Sequence, residues 1–264
     1  MGTVSAYPDG TFCWVNLGVD NVSQAVSFYR GLHGWDTADV VEGDVSFTMC
    51  RLAGHDVTAI YQMPVGERAM VGAHWNSFVS VDDIEETTRR AVELGATIIA
   101  SPADTQGRRL AVVADPTGAV LCMWQPAGRI GAGMVNETGT WTWNDLATRD
   151  PDRARSFYAD LFGWRFTQAA PDGSYFSIGR DHLLIGGMRT MDADPPDLPA
   201  HWRPYFVVAG IDAAADRLQD LGGKLLVAPR QVPAGAFLVF TDPAGATSAL
   251  LEMGEGPSRG VDGS

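Results

Sequence analysis

The sequence predicts an α+β fold: one unit duplicated in tandem, giving four βαβββ modules whose mixed sheets curve into cups with their helices outside. Three observations predict it. The first is ordered self-similarity. Ser27-Phe28-Tyr29 recurs as Ser156-Phe157-Tyr158 and Gly34-Trp35 as Gly163-Trp164, both offset by 129. Ala73-His74-Trp75 recurs as Ala200-His201-Trp202, Leu94-Gly95 as Leu221-Gly222, and Asp115-Pro116-Thr117-Gly118-Ala119 as Asp242-Pro243-Ala244-Gly245-Ala246, all offset by 127. The second is a seam, Gly128 to Gly139, rich in glycine and without a hydrophobic period, which reads as a linker. The third is that both halves run through the same order of two-fold and 3.6-fold hydrophobic periods. The expected organisation is a first unit over 1–127, a linker over 128–139, a second unit over 140–253 and a flexible polar tail over 254–264.

In the first half, Phe12 to Val19 reads as a strand, and Asn21 to Leu32 as an amphipathic helix (Val22, Ala25, Val26, Tyr29) capped by Asp20 or Asn21. Val45 to Leu52 and Val57 to Met63 are strands parted by Ala53-Gly54. After a loop the pattern restarts: Trp75 to Val81 is a strand, and Asp82 to Leu94 a helix closed by Gly95. Ala96 to Ala100, Arg109 to Ala114 and Ala119 to Trp124 are strands. The second half follows suit with a strand over Thr140 to Ala147, a helix over Pro151 to Leu161 and strands to Met188. A proline-bearing loop from Thr190 to Ala200 precedes the strand Trp202 to Val208, a helix ending at Leu221 and three more strands.

Composition bounds the function. Of the 264 residues 45% are hydrophobic and 19% charged, enough for two ordinary domain cores. The net charge of −13 disfavours phosphate backbones and anionic lipid, so neither nucleic acid nor membrane is an expected partner. No stretch carries the roughly 18 apolar residues of a spanning helix, and Met1 to Thr11 lacks a basic n-region and an apolar h-region. Three cysteines, Cys13, Cys50 and Cys122, fit free thiols in a reducing compartment, so a cytoplasmic protein is expected. There is no Gly-x-Ser-x-Gly elbow and no phosphate-binding glycine loop, which removes the corresponding hydrolase and nucleotide-binding classes.

The motifs of each half resemble the vicinal oxygen chelate superfamily, which includes glyoxalases, bleomycin-resistance proteins and ring-cleaving dioxygenases. The resemblance is carried by the strand ending in Asn16-Leu17, the helix with Phe28-Tyr29 and the Leu32-x-Gly34-Trp35 stop. Asp145-Leu146, Phe157-Tyr158 and Leu161-Phe162-Gly163-Trp164 repeat it, and the Asp-Pro-x-Gly turns precede the last strands. It covers nearly the whole chain. It implies a cavity for a small organic molecule and, in catalytic members, a divalent metal held by His and Glu on the cup floor. Carried over residue by residue, the ligand positions fall on Trp14 and Trp143, on Asn76 and Arg203, on Tyr61-Gln62 and Met188-Arg189, and on Cys122 and Ala249. None is a histidine or a carboxylate, and an indole offers a cation no lone pair.

Because strand side chains alternate faces, the same alignment places Trp14, Asn16, His74, Asn76, Phe78, Cys122 and Trp124 on the first cup face. Trp141, Trp143, Asp145, His201, Arg203 and Tyr205 fall on the second. Such a lining suits a flat aromatic ligand held by stacking and a few hydrogen bonds, although tryptophans also fill cores and Arg203 also suits an ion pair with Asp145. The leading expectation is a metal-independent protein that sequesters or transforms an aromatic or polyketide-like metabolite. Trp14, Asn16, Asn76, Phe78, Trp124, Trp141, Trp143 and Asp145 would contact the ligand. Any chemistry would use His74 or His201 as base, with Arg203 or Tyr205 stabilising enolate-like charge. No cofactor is expected. One alternative is a lyase, isomerase, hydroxylase or dioxygenase holding a divalent metal such as Zn, Fe, Mn or Ni through His74, His201 and Glu252. Another is an interaction scaffold with filled cups. The partner is a small organic ligand, and the assembly a monomer or homodimer.

Overall fold

A computed structural model describes residues 2–42, 45–105 and 107–254, so the tail beyond Gly254 lies outside the described residues. The first half runs β1 (Phe12–Val19), α1 (Val22–His33), β2 (Asp36–Glu42), β3 (Val45–Leu52), β4 (His55–Gln62), α2 (Val65–Met70), β5 (His74–Ser80), α3 (Ile84–Glu93), β6 (Thr97–Thr105), β7 (Arg108–Ala114) and β8 (Val120–Pro126). The second runs β9 (Trp141–Thr148), α4 (Pro151–Phe162), β10 (Arg165–Gln168), β11 (Tyr175–Arg180), β12 (Leu183–Thr190), β13 (His201–Val207), α5 (Ile211–Asp220), β14 (Lys224–Val232), β15 (Gly235–Thr241) and β16 (Thr247–Met253). Each half forms one 8-stranded mixed sheet, ordered β2-β3-β4-β1-β5-β8-β7-β6 and β10-β11-β12-β9-β13-β16-β15-β14. The four βαβββ modules are thus present and joined in pairs. At the middle of each sheet the first strands of two modules run antiparallel, Asn16 opposite Asn76 and Asp145 opposite Arg203.

Local chemistry sets the helix ends. Asn21 and Asp150 accept from the backbone N–H three residues on, and Gly34 and Gly163 close the helices at φ of 73° and 69°, a conformation glycine adopts without strain. The sequence reading misses β2 and α2. β2 is an edge strand whose acidic and apolar residues make a weak alternation. α2 has six residues and buries none of them, so it leaves no 3.6-residue period to detect.

The repeated motifs fasten the two halves to each other. Tyr29 Oη donates to Asp242 Oδ2 at 3.0 Å, and Tyr158 Oη donates to Asp115 Oδ2 at 2.8 Å. Both aspartates also shape their own Asp-Pro-x-Gly turns, Asp115 Oδ1 accepting from Thr117 and Ala119 N–H, and Asp242 Oδ1 from Ala244 and Ala246. The tryptophans after the helices repeat the exchange, Trp35 Nε1 reaching Gly139 O and Trp164 Nε1 reaching Gly10 O, each at 2.7 Å. Ser77 Oγ meets Asn144 Oδ1 at 2.8 Å, so the backs of β5 and β9 also touch. The Phe-Tyr, Gly-Trp and Asp-Pro motifs, read from sequence as core and turn, are therefore a reciprocal clasp around one shared core. The glycine-rich segment 128–139 forms no helix or strand and lines part of the first cup, Gly131 packing on the Cys13 backbone. Among the described residues no helix is long and apolar enough to cross a membrane.

Candidate functional site

The two cups have diverged in their lining. In the first half the concave face encloses a cavity of about 990 Å³, within the range that holds a drug-sized ligand. Its walls carry Trp14 on β1, Phe47 on β3, Phe78 on β5 and Trp124 on β8. Trp124 lies edge-on to Phe78 at 5.9 Å and 6.1 Å from Trp14. The indole of Trp124 is fixed from outside by its Nε1 bond to Arg129 O at 3.0 Å and by Arg108, whose guanidinium lies 4.9 Å from the ring centre. The mouth is polar, with the Arg51–Asp56 pair at 2.7 Å, His55 and Asp104.

At the opposite end a hydrogen-bonded thread begins with two cavity residues, Asn16 and Tyr61. Asn76 Nδ2 donates to Asn16 Oδ1 and to Tyr61 Oη, both at 3.0 Å. Tyr61 Oη donates to Glu67 Oε1 at 2.6 Å, and that same oxygen lies 3.3 Å from His74 Nε2. His74 Nδ1 faces Gly72 O at 2.8 Å. Burial and the adjoining Glu67 carboxylate hold the Tyr61 hydroxyl well above the ordinary phenol range, so it stays protonated at neutral pH. Glu67 is absent from the sequence reading because α2 is. The signal that exposes it is the 127-residue offset, which aligns Glu67 with another acid, Asp194, ahead of each Ala-His-Trp.

The second cup has the same strand order and a different lining. Trp143, Tyr205, Val239, Ala249 and Leu251 form a buried cluster with Val227 and Phe237 against it. At its centre Asp145 receives three donors: Trp143 Nε1 at 2.8 Å and Tyr175 Oη at 2.8 Å on Oδ1, and Tyr205 Oη at 2.7 Å on Oδ2. The two hydroxyls replace Phe47 and Phe78 of the first cup, and Asp145 replaces Asn16. A Cβ on Gly187 would collide with Tyr175 Oη and Asp145 Oδ1, so only glycine admits this knot. Trp141 lies in the main core rather than in this cluster, its Nε1 donated to Trp143 O. His201 is neutral: burial and the adjacent Arg203 lower it to about 4, and its Nε2 accepts from Arg203 Nη2 at 2.9 Å. Arg203 does not pair with Asp145, which has spent its oxygens elsewhere.

The donor set fits a catalytic metal poorly. The positions that hold ligands in catalytic relatives present an indole (Trp14, Trp143), an amide already bonded twice (Asn76), a guanidinium (Arg203) and a thiol that burial pushes up to about 12 (Cys122). Among the described residues no group of three or more His, Cys, Asp and Glu is placed to hold an ion. The set of His74, His201 and Glu252 does not assemble. The histidines sit in different halves, and Glu252 Oε2 caps α5 by accepting from Ile211 N at 2.8 Å, as Gln125 Oε1 does for α3 from Ile84 N at 3.1 Å.

Comparison with known proteins follows the same division. Residues 140–250 match the model of the glyoxalase/bleomycin resistance protein/dioxygenase superfamily, and residues 14–124 match that of a glyoxalase-like domain. A Mycobacterium tuberculosis protein named "Putative glyoxylase CFP32" is 35% identical over 94% of this chain and 97% of its own length. The anthracycline biosynthesis protein DauV of Streptomyces sp. (strain C5) is 29% identical over 98% of this chain and 99% of its own. Among solved structures, the 2,3-dioxygenase LapB from Pseudomonas sp. KL28 superposes with a TM-score of 0.65 at 14% identity, covering 94% of this chain and 93% of that one. The Mn(II)-bound glyoxalase from Novosphingobium aromaticivorans does so with a TM-score of 0.64 at 14% identity, covering 92% and 82%. The chain belongs to the glyoxalase/bleomycin resistance protein/dioxygenase superfamily, and it is a two-domain member.

Proposed function

We propose that the first half binds a flat, polycyclic aromatic metabolite without a metal ion, and that the second half serves as its structural counterpart. The observation that carries this reading is the cavity of about 990 Å³ walled by five aromatic residues, against an equivalent cup whose Asp145 is bonded by its own Trp143, Tyr175 and Tyr205. Large aromatic faces bind planar rings by offset stacking and shape, with few polar contacts needed for orientation. The oriented group is a carbonyl or hydroxyl oxygen directed at Asn16, whose Oδ1 is held by Asn76 and whose amide N–H2 remains for a ligand acceptor. DauV is named for anthracycline biosynthesis, and a tetracyclic quinone suits this cavity in size and flatness.

Titration with an anthracycline aglycone, followed by tryptophan fluorescence after exhaustive chelation, tests the reading. Saturable quenching is expected, weakened at least tenfold by Trp124→Ala and unchanged by Trp143→Phe. Binding that needs an added divalent ion, or that is lost with Trp143→Phe instead, overturns it.

A second reading, proton transfer on the bound ligand, is favoured by the Tyr61–Glu67–His74 thread at the cavity end. In this reading the Tyr61 hydroxyl meets the ligand oxygen and Glu67 accepts the proton that leaves it. Glu67→Gln would then abolish turnover of an identified substrate while leaving its binding intact. Unimpaired turnover would remove the thread from the chemistry.

A further inference from the structure

Arg203 is an anomaly of the second half. It is 8% exposed, it carries five N–H donors, and among the described residues it makes one hydrogen bond, to the neutral imidazole of His201. Its Nε has no partner. A buried guanidinium that no carboxylate hydrogen-bonds loses several kcal/mol of hydration, which the more distant charges of Asp145 and Asp194 offset only in part, so that its pKa falls. The nearest carboxylate across the sheet, Asp145, stands opposite Arg203 in register yet makes no ion pair with it, because Trp143, Tyr175 and Tyr205 take its oxygens. From β12 a second guanidinium, Arg189, approaches closely enough to oppose the charge of Arg203, and it is itself neutralised by Asp194 in a two-pronged pair. That leaves the Arg203 guanidinium without a hydrogen-bonded anion. The equivalent residue in the first half, Asn76, has both its amide hydrogens bonded and needs nothing further.

We propose that Arg203, positioned by His201 and flanked by Arg189, forms a binding site for a small monocarboxylate at the rim of the second cup. The planar fork of an arginine matches a carboxylate in two parallel hydrogen bonds, and a hydrogen-bonded carboxylate is what the Arg203 guanidinium lacks. His201 is the positioning residue. Its Nδ1 is tied to Pro199 O at 2.9 Å, which leaves Nε2 as an acceptor that holds one arm of the guanidinium. This site lies in the opposite half from the aromatic cavity and stands or falls independently of it.

The probe is acetate, titrated at pH 7.5 into full-length protein in a low-salt buffer, with Tm as the readout. Wild type is expected to show a saturable rise of a few degrees above the linear salt drift, because a ligand of the native state alone stabilises by mass action. Arg203→Met, which keeps the stem and removes the fork, should show the drift alone, and Arg189→Met should shift the midpoint to higher acetate. Superimposable curves for wild type and Arg203→Met overturn the proposal, as does a wild type without saturation. Should Arg203→Met fail to fold, Arg203→Lys keeps the charge without the fork. A midpoint raised tenfold or more supports the site, and an unchanged midpoint overturns it.

Discussion

His33 ends α1 inside the shared core, where the second half places Phe162 at the equivalent position. Its ring stacks on Trp35 at 4.8 Å and packs against Phe206 at 5.1 Å, and neither ring nitrogen has a hydrogen-bond partner. Burial lowers its pKa from 6.5 to about 3. The folded state therefore refuses a proton that the unfolded state accepts between those values. Stability is unaffected by this group above pH 6.5 and declines as pH falls toward 3. At about 1.4 kcal/mol per unit, the loss reaches about 3 kcal/mol near pH 4.5. His33→Phe removes the titration and the orphaned N–H together, in a ring environment that already accepts phenylalanine across the pseudo-symmetry. Urea unfolding of both proteins at pH 7.5 and 4.5 measures the difference. The variant is expected to gain about 1–3 kcal/mol at neutral pH, from the unsatisfied group removed, and roughly 3 kcal/mol more at the acid point. Equal pH dependence in the two proteins would refute the assignment of the acid sensitivity to His33.

Other consequences follow from the same geometry. Tyr158→Phe strips a buried donor from Asp115 and an acceptor from Trp202 Nε1, so a stability loss of about 2–3 kcal/mol is expected by chemical denaturation; Tyr29→Phe should match it through Asp242. Gly187→Ala drives a methyl into the Tyr175–Asp145 contact and should cost about 1–3 kcal/mol while leaving ligand binding in the first half within twofold. Asn16→Asp places in the first cup the carboxylate that the second cup has at Asp145. It should weaken a quinone or other carbonyl ligand at least tenfold by titration, since an acceptor would then face an acceptor.

Much of the architecture was legible in sequence because duplication supplies two noisy copies of each signal. The Gly34 and Gly163 stops and the Asp-Pro-x-Gly turns each appear twice, and so does the alternation that puts Trp14 and Trp143 on equivalent faces. What stayed hidden depends on three-dimensional partners. Tyr29 and Asp242 read as core and turn, and nothing in their local pattern says that they meet across 213 residues. Glu67 sits on a helix whose exposed face carries no period. The knot in the second cup rests on two hydroxyl groups, Tyr175 and Tyr205, that bond Asp145 where the first cup has Phe47 and Phe78. Arg203 and Asp145 look like an ion pair in register, but two tyrosines and an indole outbid the guanidinium for the carboxylate.

The central claim, an aromatic ligand held in the first half without a metal, is tested most directly by native mass spectrometry of gently purified protein with a tetracyclic quinone added, before and after chelator. The account predicts a one-to-one organic adduct whose abundance does not change on chelation and which Trp124→Ala abolishes. A divalent ion at near-stoichiometric mass, whose removal by the chelator also removes the adduct, would contradict it.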